Sequence, residues 1–238
     1  MTLPYFYHSS AGATGDDLLL DEDNSRHIVQ VLRMKPGEKL RLTDGKGALL
    51  TAAIIDDHKK KCRVRIESAT RQAPPEREVG IAISPLKNAS RFEWFLEKAT
   101  EIGVRTVIPL LSERTERQHY RADRWQNILV SALLQSRQTW LPDLPEPAPF
   151  AAVIASPGAE QRLIAHCLEG PRPAESLAHF ARKRPATTTM ILIGPEGDFT
   201  QKEVELALAE GFIPVTLGEN RLRTETAGVV AATLLCID

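Results

Sequence analysis

At 238 residues the chain has room for one large domain or two small ones, and its 42% hydrophobic content is ordinary for a packed core. Its formal net charge of −1 says nothing about nucleic acid until the distribution is read. No apolar run approaches the about 20 residues needed to span a bilayer. The early acidic residues Asp16, Asp17, Asp21 and Asp23 do not make a signal peptide, so a cytoplasmic protein with no membrane partner is expected. Cys62, Cys167 and Cys236 are odd in number, far apart and without a C-x-x-C pair. That argues against a disulfide framework or structural zinc. All three read as small core residues, and no metal is expected.

Residues 1–72 read as short strands between turns. Leu18 to Leu20 is an apolar triplet, Ser25 to Met34 is the one helical stretch, and Lys39 to Thr43 alternates before Asp44-Gly45. Ala48 to Ile55 and Cys62 to Glu67 flank a turn at Asp57 to Lys61. A mostly β piece of this size suggests a small barrel. From Asn24 to Thr70 it carries eleven Lys or Arg against five Asp or Glu. Arg63 and Arg65 share one strand face. Such an excess is either a solvated exterior, the usual case, or a surface for RNA phosphates.

Arg71 to Glu78, with Pro74-Pro75, reads as a linker into a second domain over 73–238. Val79 to Ile83 is a strand. Ser90, with Glu93 at capping-box spacing, opens a helix whose Phe92, Phe95, Leu96, Ala99 and Ile102 form one apolar face before Gly103. Val104 to Leu111 is a strand, Arg121 to Gln138 a longer amphipathic helix, and Leu141 to Pro149 an extended connection with four prolines. Gln161 to Cys167 reads as a strand and Ser176 to Arg182 as a short helix. Alternating strands and helices give an α/β domain with a parallel sheet covered on both faces.

The most informative stretch is Thr187 to Ala227. A buried strand, Thr187 to Ile193, breaks at Gly194-Pro195-Glu196-Gly197, and Thr200 with Glu203 forms a capping box for a helix from Gln201 to Gly211. A second strand, Ile213 to Leu217, meets Gly218 and the polar loop Glu219 to Thr224, and a last helix starts near Glu225 with Ala227, Gly228, Ala231 and Ala232. Two strands ending in glycine loops make a ligand site at the carboxyl edge of an open sheet. Neither G-x-G-x-x-G nor G-x-x-x-x-G-K-[ST] is present, so a dinucleotide or P-loop site is unsupported.

The wording of these loops, GPEG and LRTETA, resembles the RsmE family, the 16S rRNA (uridine-N3) methyltransferases of the SPOUT superfamily. The likeness extends through HIVQVLRM (27–34), Lys87, Arg91, EKATEIGV (97–104), SERTER (112–117) and Gln135-Ser136, nearly the whole chain. It implies a PUA-like RNA-binding barrel followed by a SPOUT α/β domain with a trefoil knot over about 161–238, which periodicity alone does not show. It also implies methylation of N3 of a uridine in 16S rRNA of the small ribosomal subunit, in the decoding region near the 3' end, by a homodimer using S-adenosylmethionine (SAM). The departures are Arg221 where the family has an apolar residue, Asp198 where it often has Gly, and a shifted Arg137.

The resemblance assigns the cofactor to three loops: His166 after the Gln161 strand; Leu192, Gly194, Pro195, Glu196 and Gly197; and Leu217, Gly218, Leu222, Thr226 and Ala227. Arg223 is the candidate to stabilise a uridine imide anion, because a guanidinium is a fixed and permanently charged donor fork. Glu225 is either a base or a partner of its helix dipole. Arg26, Arg33, Arg63, Arg65, Lys87, Arg91, Arg114 and Arg117 are the candidates for RNA contact, while Arg121 and Arg124 read as solvated. The opposing readings are a non-catalytic, ribosome-associated RNA-binding protein that keeps the fold, and a nucleotide-dependent hydrolase using the same loops.

Overall fold

The computed structural model describes residues 3–10, 12–116, 120–167, 174–183 and 186–237. They form two compact units, 1–74 with 133–141, and 75–132 with 142–238.

The first unit is a five-stranded sheet in the order β1-β3-β4-β5-β2, with β1 Tyr5–Tyr7, β2 Asp17–Leu19, β3 Lys39–Thr43, β4 Ala48–Asp56 and β5 Arg63–Arg71. β1 runs parallel to β3 and the other pairs are antiparallel. Period-two alternation turns Leu40, Leu42, Leu50, Ala52, Ile54, Val64 and Ile66 into a core completed by Phe6, Leu20 and Ile28. Register shifts at Thr51/Ala52 and Ile54/Asp56 let β4 bend around it. The helical stretch begins earlier than its sequence suggests. Asp21 caps α1 (Glu22–Arg26) by accepting from Asn24 N, and the chain continues as a π turn, His27–Val31. Residues 133–141 lie along this sheet, with Gly47 N donating to Thr139 O (2.8 Å) and Leu141 N to Gly45 O (2.8 Å).

The second unit is a seven-stranded sheet in the order β10-β12-β9-β11-β6-β7-β8, every described pair parallel. Its strands are β6 Glu78–Ile83, β7 Thr106–Leu111, β8 Ala148–Pro149, β9 Gln161–Ala165, β10 Glu175–Ser176, β11 Thr188–Ile193 and β12 Ile213–Thr216. Its helices are α2 Ala89–Ile102, α3 Ala122–Gln135, α4 Phe150–Ala155, α5 Leu177–Lys183, α6 Gln201–Ala209 and α7 Thr224–Cys236. Strands made late in the chain lie inside the sheet: β11 sits between β6 and β9, and β9 between β11 and β12. The loops following β9, β11 and β12 therefore emerge side by side at one edge of the sheet. Ala82, Leu110, Ile164, Leu192, Phe199 and Phe212 belong to one core cluster on this sheet.

Several local expectations are corrected. The cap of α2 is Asn88, whose side-chain oxygen accepts from Ser90 N (3.0 Å) and Ser90 Oγ (2.7 Å). Glu93, expected in a capping box, is instead buried against α3, where its carboxylate takes a two-pronged bond from Arg124. Arg124 is thus an ion-pair partner rather than a merely solvated charge. The six-residue α4 follows the proline-rich connection. Of the cysteines only Cys62 is buried; Cys236 is half-buried and Cys167 is exposed.

α7 packs on α2 at Gly228, where an added Cβ would lie 2.5 Å from the Phe95 ring and 2.8 Å from Ile83 Cδ1. Only glycine allows that approach. Among the described residues no helix is long and apolar enough to cross a membrane, and no group of three or more His, Cys, Asp or Glu is placed to hold a metal ion.

Candidate cofactor and RNA site

A cavity of about 380 Å³ opens at the carboxyl ends of β9, β11 and β12. Ala165, His166 and Cys167 line it from β9, and Ile193, Gly194, Pro195, Glu196 and Asp198 from β11. The loop after β12 adds Leu217, Gly218, Asn220, Arg221, Leu222 and Arg223, and α7 adds Thr224 and Ala227. Volumes of roughly 300–1,000 Å³ are usual for small-molecule sites.

Hydrogen bonds between side chains and backbone tie these segments together. Asp198 sits in left-handed backbone space (φ +62°). Its carboxylate accepts from Cys167 N (2.8 Å) and from Phe199 N (2.8 Å), joining the β11 loop to the end of β9. Thr224 Oγ1 donates to Gly194 O (3.0 Å), joining the β11 loop to α7. Gly194 is closed in on one side, since a Cβ there would lie 3.1 Å from Phe199 N. Gly218 (φ +135°) is the opposite case: a Cβ would meet no protein atom within 4 Å, so the space beside its backbone is open on the cavity it lines.

Arginines surround the β11 loop. Arg114 Nη1 donates to Gly197 O (2.7 Å), Arg221 Nη2 to Glu196 O (3.5 Å), and Arg91 Nη1 to Glu196 Oε1 (3.1 Å). Arg91 Nε also lies 3.7 Å from Glu225 Oε1. The loop after β7 is fixed beside them: Ser112 Oγ is 2.8 Å from Thr115 Oγ1 and 3.3 Å from Ser84 Oγ, and Glu113 N donates to Glu203 Oε1 (2.8 Å). Arg223 precedes the first turn of α7 with its side chain exposed, and no hydrogen bond or ion pair engages its guanidinium among the described residues. Partial burial, then the Asp198 carboxylate, push the Cys167 thiol above its ordinary value.

Of the residues named from sequence, His166, Gly194, Pro195, Glu196, Leu217, Gly218, Leu222, Arg223 and Ala227 meet around this one cavity. Leu192 does not line it; it is fully buried in β11. Gly197, Thr226 and Glu225 also lie off the lining, the Gly197 carbonyl being taken by Arg114 and the Glu225 side chain being turned into the protein beside Arg91. Cys167, Thr216, Asn220, Arg221, Asp198 and Thr224 line the cavity without having been named as cofactor residues. Local sequence carries no signal for them, because strand order sets what lies across the cavity. Lys87 and Arg114 stand on the loops after β6 and β7 and Arg91 in the first turn of α2, with Lys87 3.4 Å from Glu116. In the first unit Arg63 and Arg65 both bind Asp17 (3.1 and 2.8 Å), Arg26 binds Glu22 (2.7 Å), and Arg33 is exposed at φ +56°. The hydrogen bond from Arg65 holds the Asp17 carboxyl below its ordinary value. Arg117 lies outside the described residues.

Residues 72–236 match a family described as an RNA methyltransferase domain, and residues 20–67 one described as an RNA methyltransferase PUA domain. The ribosomal RNA small subunit methyltransferase E of Synechocystis sp. is 30% identical over 207 residues, covering 86% of this chain and 68% of that protein. The crystal structure of a probable rRNA-methyltransferase from Porphyromonas gingivalis is 41% identical, with a TM-score of 0.87 and 98% of each chain covered. A putative methyltransferase from Legionella pneumophila, solved with bound SAM, is 29% identical at a TM-score of 0.85, covering 99% of this chain and 97% of that one.

Proposed function

We propose the function from one premise: the chain belongs to the RsmE family, the ribosomal RNA small subunit methyltransferases E of the SPOUT superfamily. It is a SAM-dependent methyltransferase of small-subunit ribosomal RNA, with a PUA-like domain ahead of a SPOUT α/β domain. The observation that carries the assignment is the cavity at the ends of β9, β11 and β12, with open space beside the Gly218 backbone. The residues fit the cofactor. Backbone groups at 194–196 and 217–218 can pair with the edges of an adenosine, and Leu217, Leu222 and Ala227 supply apolar wall.

When bound, SAM supplies an electrophilic methyl group on its sulfonium. The chain's own task is to orient the accepting base and stabilise its charge as the proton leaves. We assign the acceptor as N3 of a uridine in the decoding region of 16S rRNA. That nitrogen is a poor nucleophile until its imide proton is lost, and Arg223, exposed at the cavity mouth with its guanidinium uncommitted, is the group to hold the resulting anion. Glu225 is not given the role of base, because it is 7% exposed and faces Arg91. Lys87 and Arg114 on the α/β unit, and Arg26, Arg33, Arg63 and Arg65 on the barrel, supply cations for phosphates.

We further assign a cytoplasmic homodimer acting without a metal. Support for the dimer lies in α7, where Val229, Val230 and Leu234 remain half-exposed, and in Ile237 just past its end, which is 55% exposed. Light scattering that returned the 26.4 kDa monomer at micromolar concentration would overturn the dimer. The same reading carries a trefoil knot over 161–238, supported by β11 lying between β6 and β9 while β12 lies beyond β9.

Transfer of labelled methyl from SAM to small subunits isolated from a strain lacking the enzyme, with the modified base mapped, tests the function. Arg223→Ala should lower the single-turnover rate at saturating SAM by about 10²–10³ while SAM affinity changes little. Arg223→Lys should recover poorly, since an ammonium is not a fork. RNA binding with no transfer by the intact chain would instead favour a non-catalytic ribosome-associated protein.

A further inference from the structure

Arg91 occupies the third residue of α2 (Ala89–Ile102), in the first turn of a helix with no acidic residue there. The helix dipole opposes a cation at that place, so the position calls for an electrostatic partner. Two are present, from loops distant in sequence. Glu196, on the loop after β11, accepts from Nη1 at 3.1 Å, and Glu225, in the first turn of α7, approaches Nε at 3.7 Å. Glu225 is 7% exposed, and its Oε2 is buried without a hydrogen-bond partner. Arg91 is the cation that the described ion pairs place beside this carboxylate. The packing explains why they meet. Arg91 and Phe95 are four apart on α2, Glu225 and Gly228 three apart on α7, and the missing side chain of Gly228 lets the helices close at Phe95.

We propose that Arg91 is a positioning residue that latches the β11 loop to the first turn of α7, holding the two walls of the cofactor cavity at fixed separation, rather than a phosphate contact. The latch rests on the function proposed above only in what the cavity holds. Its geometry belongs to this chain. Without the guanidinium nothing bridges Glu196 and Glu225, and Glu225 is left buried without the cation that lies beside it. Both walls then move apart, although neither residue touches the reacting atoms.

The test is amide hydrogen exchange on the ligand-free full chain, read at Asp198, Phe199 and Ala227, whose amides are hydrogen-bonded to Pro195 O, Asp198 Oδ1 and Arg223 O. In Arg91→Ala these amides should exchange at least about tenfold faster while the barrel core is unchanged. Arg91→Ala with Glu225→Gln should restore much of the protection, because the stranded charge is gone. Arg91→Lys, which folds with the charge kept, should be intermediate, since one ammonium does not span both carboxylates. Calorimetry should show SAM binding weakened about tenfold in Arg91→Ala, with the salt dependence of RNA binding kept. Unchanged exchange, a uniform rise through both units, or no recovery in the double variant overturns the latch. A loss of about one unit from the salt slope of RNA binding, with SAM affinity intact, overturns it in favour of a phosphate contact. Failure of the wild-type chain to bind SAM overturns the cofactor assignment instead, and exchange still decides the latch.

Discussion

At φ +62° Asp198 occupies backbone space that glycine enters freely and most residues enter at a cost of about 1–2 kcal/mol. Its carboxylate repays this by accepting from Cys167 N and Phe199 N. The two effects give a signed prediction. Asp198→Gly relieves the backbone but strands two amides, and hydrogen bonds to a charged group contribute about 1.5–3 kcal/mol each, so urea unfolding should show a net loss. Asp198→Ala should lose more, because it keeps the strain as well. Asn, which tolerates this conformation and keeps one acceptor oxygen, should lose least. Cys167 offers a second check beside it. Burial pushes Cys62 up to about 11 and Cys236 up to about 12, whereas Cys167 is exposed. One thiol per chain should react first with a chromogenic disulfide, faster as the pH rises because its own value is also raised. Saturating SAM should slow it, since Cys167 lines the cavity; two equally fast thiols would contradict this.

The capping box of α6 was legible in sequence because it is complete within four residues: Thr200 Oγ1 accepts from Glu203 N (3.3 Å) and Glu203 Oε2 from Thr200 N (2.8 Å). The start of α2 was not. Asn88 and Ser90 are both good caps two positions apart, and Glu93, which a box at Ser90 would need, is taken by Arg124 on another helix. α4 was hidden behind prolines, and Cys167 was misread because a strand pattern does not say where the strand stops and its loop begins. Likewise the glycine turns of the cavity could be read from local sequence. Asp198, Asn220 and Thr224 could not, because their neighbours across the cavity are set by strand order. At α7 the consequence is a sharp expectation. Gly→Ala in a helix ordinarily stabilises by about 1 kcal/mol, yet Gly228→Ala puts a Cβ 2.5 Å from a fully buried Phe95 ring. Overpacking of this kind costs about 1–3 kcal/mol, so the melting temperature should fall, and Phe95→Leu in the same chain should recover part of it.

For the whole molecule, several carboxyls are held below their ordinary values: Glu93 by the hydrogen bond from Arg124, Asp17 by that from Arg65, and Glu160 by that from Thr187. A carboxyl depressed in the folded state contributes stability that is fully present above its unfolded value and is lost as pH falls through the folded one. Those ordinary values are 4.5 for Glu93 and Glu160 and 3.8 for Asp17. Urea midpoints should therefore hold steady from neutrality to about pH 5 and decline below it, and less steeply in Glu93→Gln. A midpoint rising on acidification would contradict the sign. The strand order also sets a timetable for the nascent chain. β6 pairs with β7 soon after both are made, but its other edge belongs to β11, and Thr188 stands opposite Glu78. At about 5–20 residues per second, the roughly hundred residues between them leave that edge open for about 5–20 s on the translating ribosome. No fragment released in that interval holds all three loops, which are completed only when Ala227 is in place. A product of this chain truncated before β11 is thus without a cofactor pocket and bears an open central strand, which makes it a substrate for chaperones and proteases rather than a slow enzyme.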